Sequence, residues 1–145
     1  YYESGQNLRR RKLIFSETVL RVLYAHTDKM GVVNNARYLE YFEAGRNDLL
    51  RMLGSPYTEL EKLNVGLPVI EAYVKFIQPA RYDELITVRA EIRNVPSVRF
   101  RIDYEVSGSE GKLVEGYTVH AFIDLQKLTP VRPPAYFLDL LRKKF

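Results

Sequence analysis

Apolar positions in the second half of the chain recur every second residue. From Val98 to Val106, Val98, Phe100, Ile102, Tyr104 and Val106 alternate with Arg99, Arg101, Asp103 and Glu105. This is the pattern of a strand with one face in a core and the other in water. Leu85 to Ile92 repeats it, with Ile86, Val88, Ala90 and Ile92 on one face and Thr87, Arg89 and Glu91 on the other. Val69 to Ile77, closed by Pro79, and the long run from Leu113 to Leu125 supply two further strands. Ser107 to Lys112, with two glycines, is the hairpin turn before the last of them. Near the start, Glu17 to Tyr24 (ETVLRVLY) is β-branched and aliphatic and predicts another strand.

Between these strands the period changes to that of a helix. Ala36 to Leu53 carries Leu39, Phe42, Leu49 and Leu53 at helical spacing, with Tyr38 and Tyr41 widening the stripe. Asn34 or Asn35 suits the N-cap, and Gly54-Ser55-Pro56 is a stop. Pro56 to Leu63 predicts a short second helix, and Pro133-Pro134 introduces a small terminal one with an apolar stripe of Tyr136, Phe137, Leu140 and Leu141. The expected fold is α+β: a curved antiparallel sheet of about five strands around one long central helix. The outer face and edge strands of such a sheet commonly meet another subunit, so a homodimer or homotetramer is expected.

Composition narrows the partners. The 145 residues are 46% hydrophobic, enough for one core, and no apolar run reaches the length of a membrane span, about 18 residues. The stretch 1–12 is polar and basic without periodicity and reads as a flexible tail, leaving 13–145 as a single domain. It lacks the apolar middle of a secretory signal, and with no cysteine there is no disulfide or thiolate site; a cytoplasmic location is expected. The net charge of +4 is scattered apart from Arg9–Lys12 and Arg142–Lys144. Tyr and Phe follow core periodicities rather than interleaving with a basic groove, so nucleic acid is not an expected partner. A phosphate-rich small ligand fits the mild excess.

From Tyr24 to Arg46 the chain reads YAHTDKMGVVNNARYLEYFEAGR. This resembles the signature of hotdog-fold thioesterases of the 4-hydroxybenzoyl-CoA thioesterase group, including the Tol–Pal-associated acyl-CoA thioesterases. There an aspartate is followed by a glycine, two apolar residues and a polar pair leading into a helix of the form YLxYFExxR. Tyr73 to Ile92 (YVKFIQPARYDELITVRAEI) resembles the next two strands of that family, and the likeness extends from about Glu17 to Lys127. Val32-Val33-Asn34-Asn35 stands where many relatives have a run containing histidine. The resemblance implies the hotdog fold, hydrolysis of acyl-CoA to free acid and CoA, and no cofactor. It assigns Asp28 as catalytic aspartate and Asn35 as the helix-start residue whose N–H polarises the thioester carbonyl. Gly31 and Asn34 are expected substrate contacts. Arg99 and Arg101, beside the turn Asn94 to Arg101, are expected to meet the CoA phosphates.

The chemistry suits these residue types. A thioester needs activated water or a nucleophile and donors for the developing oxyanion, and a helix start offers unpaired N–H groups with partial positive charge. Asp28 then acts as general base or as nucleophile. The plainer readings are a turn aspartate, two capping asparagines and solvated arginines. Glu43 is expected to form an ion pair or polar contact with Arg46 or a neighbour, and His120 to be structural. No serine elbow and no metal-ligating histidine spacing is present. An acyl-ACP thioesterase and a non-catalytic binding module are the alternatives. A hotdog dehydratase, which needs a histidine near the helix, is disfavoured.

Overall fold

The alternating runs pair as one antiparallel sheet. In the computed structural model, which describes residues 13–145, the elements are β1 (Ile14–Arg21), α1 (Arg37–Met52), α2 (Tyr57–Lys62), β2 (Val65–Gly66), β3 (Val69–Phe76), β4 (Leu85–Ile92), β5 (Arg99–Gly108), β6 (Gly111–Ala121), β7 (Ile123–Asp124) and α3 (Ala135–Arg142). The tail expected over 1–12 lies outside the described residues. Five strands form a sheet in the order β1-β4-β5-β6-β3, every neighbour antiparallel, and β2 pairs with β7 in a separate two-stranded piece.

On β4 the inward residues Ile86, Val88, Ala90 and Ile92 are all buried, and on β5 so are Phe100, Ile102, Tyr104 and Val106. α1 packs on this face, over β1, β4 and β5. It buries Tyr38, Tyr41, Phe42, Gly45, Leu49 and Leu50, so its apolar stripe includes the tyrosines and leaves Leu39 outside at 45% exposure. At Gly45 the helix comes so near β4 that a Cβ would stand 2.7 Å from Val88 Cγ1, so any larger residue requires the Val88 side chain or the helix to shift. One long helix lying on a five-stranded antiparallel sheet is the hotdog arrangement, as expected.

Most ends move by one or two residues, and four differences from expectation are larger or of another kind. β1 lies three residues earlier than the run 17–24 at each end, because its pairing with β4 ends at Arg21 opposite Leu85, where β4 itself starts. The Val22 N–H still reaches Glu84 O (2.9 Å), and Tyr24–His26 then turns as a single 3₁₀ helix. Val98 is 69% exposed and precedes β5 rather than facing the core. The long last strand breaks after Ala121, and Ile123–Asp124 leaves the main sheet to pair with β2. Neither Asn34 nor Asn35 is the N-cap: Ala36 is, without a side-chain bond, while Asn34 Oδ1, two residues before it, accepts the Ala36 N–H at 3.0 Å.

A chain of polar groups crosses the core. Arg46 on α1 is 7% exposed, and instead of meeting Glu43 it donates to Tyr57 OH (2.9 Å) and Tyr104 OH (3.0 Å). Tyr104 OH lies 2.7 Å from Thr118 Oγ1, which is 2.8 Å from His120 Nε2, and His120 Nδ1 is 3.0 Å from Leu67 O. The ends fix every proton. Leu67 O only accepts, so Nδ1 carries hydrogen and Nε2 accepts from Thr118; Thr118 Oγ1 therefore accepts from Tyr104, and Tyr104 from Arg46. Burial pushes His120 down to about 4, the Leu67 carbonyl opposing and Arg46 adding to it, so the neutral ring this chain requires is the one present. His120 is structural, as expected.

Candidate active site

Residues 27–36 form the segment that brings the expected catalytic residues together. Thr27 and Val33 bridge, Asp28 N–H donates to Val32 O (2.9 Å) and Gly31 N–H to Asp28 O (3.0 Å), closing a tight turn. Gly31 sits at φ +76°, a left-handed conformation that a glycine adopts at least cost. The turn is docked on the chain after β3: Val33 N–H donates to Ala80 O, Tyr82 N–H to Gly31 O, and Val32 bridges Arg81. Asp28 Oδ1 accepts Met30 N–H at 2.8 Å and Val32 N–H at 3.4 Å, which orients the carboxylate through one oxygen.

The polypeptide then enters α1. Asn34 N–H donates to His26 O and Arg37 N–H to Asn34 O, while the Asn35 N–H takes no hydrogen bond among the described residues. Asp28, Asn34 and Asn35 share one pocket of about 380 Å³, whose remaining walls are Val32, Val33, Tyr38, Phe76, Ile77, Gln78 and Pro79. Tyr38 forms its buried floor: the phenol OH accepts Ala80 N–H at 3.1 Å and the ring meets Phe76 edge-on at 5.5 Å. Burial raises the Tyr38 hydroxyl above its ordinary value, so it stays neutral beside the pocket. The cavity thus joins a carboxylate, a free amide at a helix start and an aromatic-aliphatic wall.

Gly31 shapes the turn and does not line this pocket. Arg99 and Arg101 lie elsewhere, in a second pocket of about 370 Å³ with Arg93, Asn94, Pro96 and Asp103. On β6, Val114 faces Phe76 while Ala121 faces Arg99, so the two pockets occupy opposite ends of the sheet, roughly 23 Å apart along the strands. Arg101 is engaged by Asp103 (2.9 Å) and stacks over Tyr117 at 3.8 Å. Glu43 is exposed and makes no ion pair among the described residues.

A further side chain stands beside this turn. His26 Nδ1 stands 3.0 Å from Tyr41 OH on α1, so a histidine does lie beside the helix, contrary to expectation. Its position two residues before Asp28 was the available signal. Among the described residues no group of three or more His, Cys, Asp or Glu side chains could hold a metal ion, and no helix is long and apolar enough to cross a membrane.

The profile described as the thioesterase-like superfamily matches residues 22–141. The chain belongs to this family. The acyl-CoA thioesterase YbgC of Haemophilus influenzae is 31% identical over 116 residues, covering 79% of this chain and 85% of that protein. The chloroplastic acyl-acyl carrier protein thioesterase ATL3 of Arabidopsis thaliana is 29% identical, covering 90% of this chain and 67% of its own length. Among solved structures, the DHNA-CoA thioesterase from Staphylococcus aureus superposes with a TM-score of 0.82 at 29% identity, covering 88% of this chain and 87% of that one. The protein is a thioester hydrolase of hotdog fold, and the pocket at the start of α1 is its candidate active site.

Proposed function

We propose that this thioesterase hydrolyses acyl-CoA, fatty or aromatic, with Asp28 and the Asn35 N–H acting on one thioester carbonyl. The observation that carries the reading is their meeting in a single pocket with the Asn35 amide unpaired. The acyl carbonyl oxygen faces that N–H, which strengthens its hydrogen bond as negative charge develops. Asp28 takes a proton from water as its oxygen adds to the carbonyl carbon; the C–S bond breaks and the proton passes to the departing CoA thiolate. Direct attack by Asp28, giving an anhydride that water then opens, uses the same geometry. Gly31 holds the turn and Asn34 the helix entrance, and no cofactor takes part.

The phosphates of CoA suit Arg99 and Arg101, but these stand at the wrong end of the same sheet. β3 supplies the connection. It is an edge strand, and Val69, Ile70, Tyr73 and Phe76 on it are each close to half exposed. Two copies joined by antiparallel β3–β3 pairing would set the Val69 end of one beside the Phe76 end of the other. The partner subunit's Arg99 and Arg101 then approach this pocket, so a homodimer, alone or within a tetramer, completes the site.

Thiol release from a panel of aliphatic and aroyl-CoA substrates tests the reading: activity on at least one chain length is expected, and inertness on all of them overturns it. The similarity to a carrier-protein thioesterase keeps acyl-ACP hydrolysis as a second reading. Faster turnover of acyl-ACP than of acyl-CoA carrying the same acyl group would favour it.

A further inference from the structure

We infer that His26 is a positioning residue, whose Nδ1 staples the Asp28 turn to α1 by accepting hydrogen bonds from both the Leu23 N–H and the Tyr41 hydroxyl. The inference rests on the assignment of Asp28 above and adds to it a group that helps set the spacing between the carboxylate and the Asn35 amide.

The proton placement follows from the donors. Leu23 N–H points at Nδ1 over 3.3 Å, and a backbone amide can only donate. Nδ1 is therefore the unprotonated nitrogen, so the Tyr41 hydroxyl, 3.0 Å away, is also a donor and the ring hydrogen sits on Nε2. Tyr41 is suited to that duty. It is 3% exposed, and burial, with Tyr38 and Glu40 adding to it, lifts its hydroxyl to about 12, so it keeps its proton. The two rings also meet edge-on at 5.5 Å.

The backbone of His26 works in the same direction. Its N–H donates to Leu23 O, closing the 3₁₀ turn, and its carbonyl accepts the Asn34 N–H at 2.9 Å. One residue thus holds the strand exit at Leu23, the body of α1 at Tyr41 and the helix entrance at Asn34. Asp28 and Asn35 lie on either side of the clasp, each within two residues of a fixed point. The other ties reach α1 less directly: residues 80–82, which hold the turn, meet it through the Ala80 N–H on Tyr38 OH at 3.1 Å, and Arg37 donates to Ala25 O at 3.3 Å, so His26 is the side chain of this segment that itself bonds the body of the helix. A carboxylate misplaced by about 1 Å can cost about a hundredfold in rate.

Two substitutions separate this from simple packing. Asparagine presents an oxygen where Nδ1 stands and can take both donors; leucine fills similar space and can take neither. His26→Asn is expected to keep kcat within about threefold of wild type, and His26→Leu to lower kcat ten- to a hundredfold with KM changed less than threefold. Equal losses in the two variants, or an unchanged kcat in His26→Leu, would overturn the inference. Nitrogen-15 imidazole shifts of the wild-type protein give an arm independent of activity: the uncharged form is expected as the tautomer with hydrogen on Nε2, and the Nδ1–H tautomer would overturn the staple. If the wild type itself hydrolyses no acyl-CoA, it is the proposed function that fails, and the imidazole shifts still decide the staple.

Discussion

The two histidines occupy the two ends of one design question, how a polar group is held in an apolar fold. His120 lies at the centre of the sheet with no exposure and ends a one-way chain of hydrogen bonds from Arg46 through Tyr104 and Thr118 to Leu67 O. His26 lies at the rim, half-buried, and joins a surface turn to α1 through a single nitrogen. Along that buried chain every donor is matched, and the consequence of breaking it is lost stability. At the rim the Asn35 N–H is left unmatched, and the consequence of disturbing the turn is lost rate. An unpaired amide is tolerable where water can reach it and costly where it cannot. That difference separates a site from a core.

The comparison can be broken first at Asp28. Asp28→Asn is expected to lower kcat/KM by on the order of 10³-fold in a thiol-release assay, with the melting temperature unchanged because the side chain is exposed. A parallel fall in melting temperature would make Asp28 a structural residue like those of the core. The next effect is on the core side. The depressed His120 means that between its folded value, about 4, and the ordinary 6.5 the unfolded chain binds the extra proton. Stability is therefore full above that window and falls as the pH drops through it, by about 3 kcal/mol in all. Urea unfolding at pH 7 and pH 4 measures this, and in His120→Leu the histidine's share of that slope vanishes.

Tyr104→Phe comes next. It removes the middle of the buried chain, leaving Thr118 without its donor and Arg46 without one acceptor, and is expected to cost about 2 kcal/mol in denaturant unfolding while kcat/KM moves less than threefold. The smallest effect is at Asn35→Ala. The proposed donor there is the backbone amide, which alanine retains, so a change below about fivefold in kcat is expected. A hundredfold loss would move the role to the side chain.

Much of the architecture was legible because period-two burial is written residue by residue. β4 runs over Leu85–Ile92 as its alternation indicates, and α1 deviates by one residue at each end. The boundaries that moved did so for reasons outside the local pattern: β1 stops where β4 ceases to offer a partner, and β6 ends where β2 captures Ile123 and Asp124. The site was legible through Asp28, Asn34 and Asn35, which lie close in sequence and meet in one pocket. The arrangement around Arg46 was hidden, since its partner Tyr104 is 58 residues away and an arginine beside Glu43 on a helix invites a surface ion pair. Likewise the separation of Arg99 and Arg101 from Asp28 emerges only once the strand register is known.

The most direct test of the central claim is nuclear magnetic resonance of the backbone amides while the protein is titrated with an acyl-CoA analogue in which a methylene replaces the thioester sulfur, leaving the carbonyl intact. The Asn35 amide proton is expected to move downfield at saturation, further than any other amide of residues 27–38. Saturable binding with the Asn35 amide unmoved would contradict it.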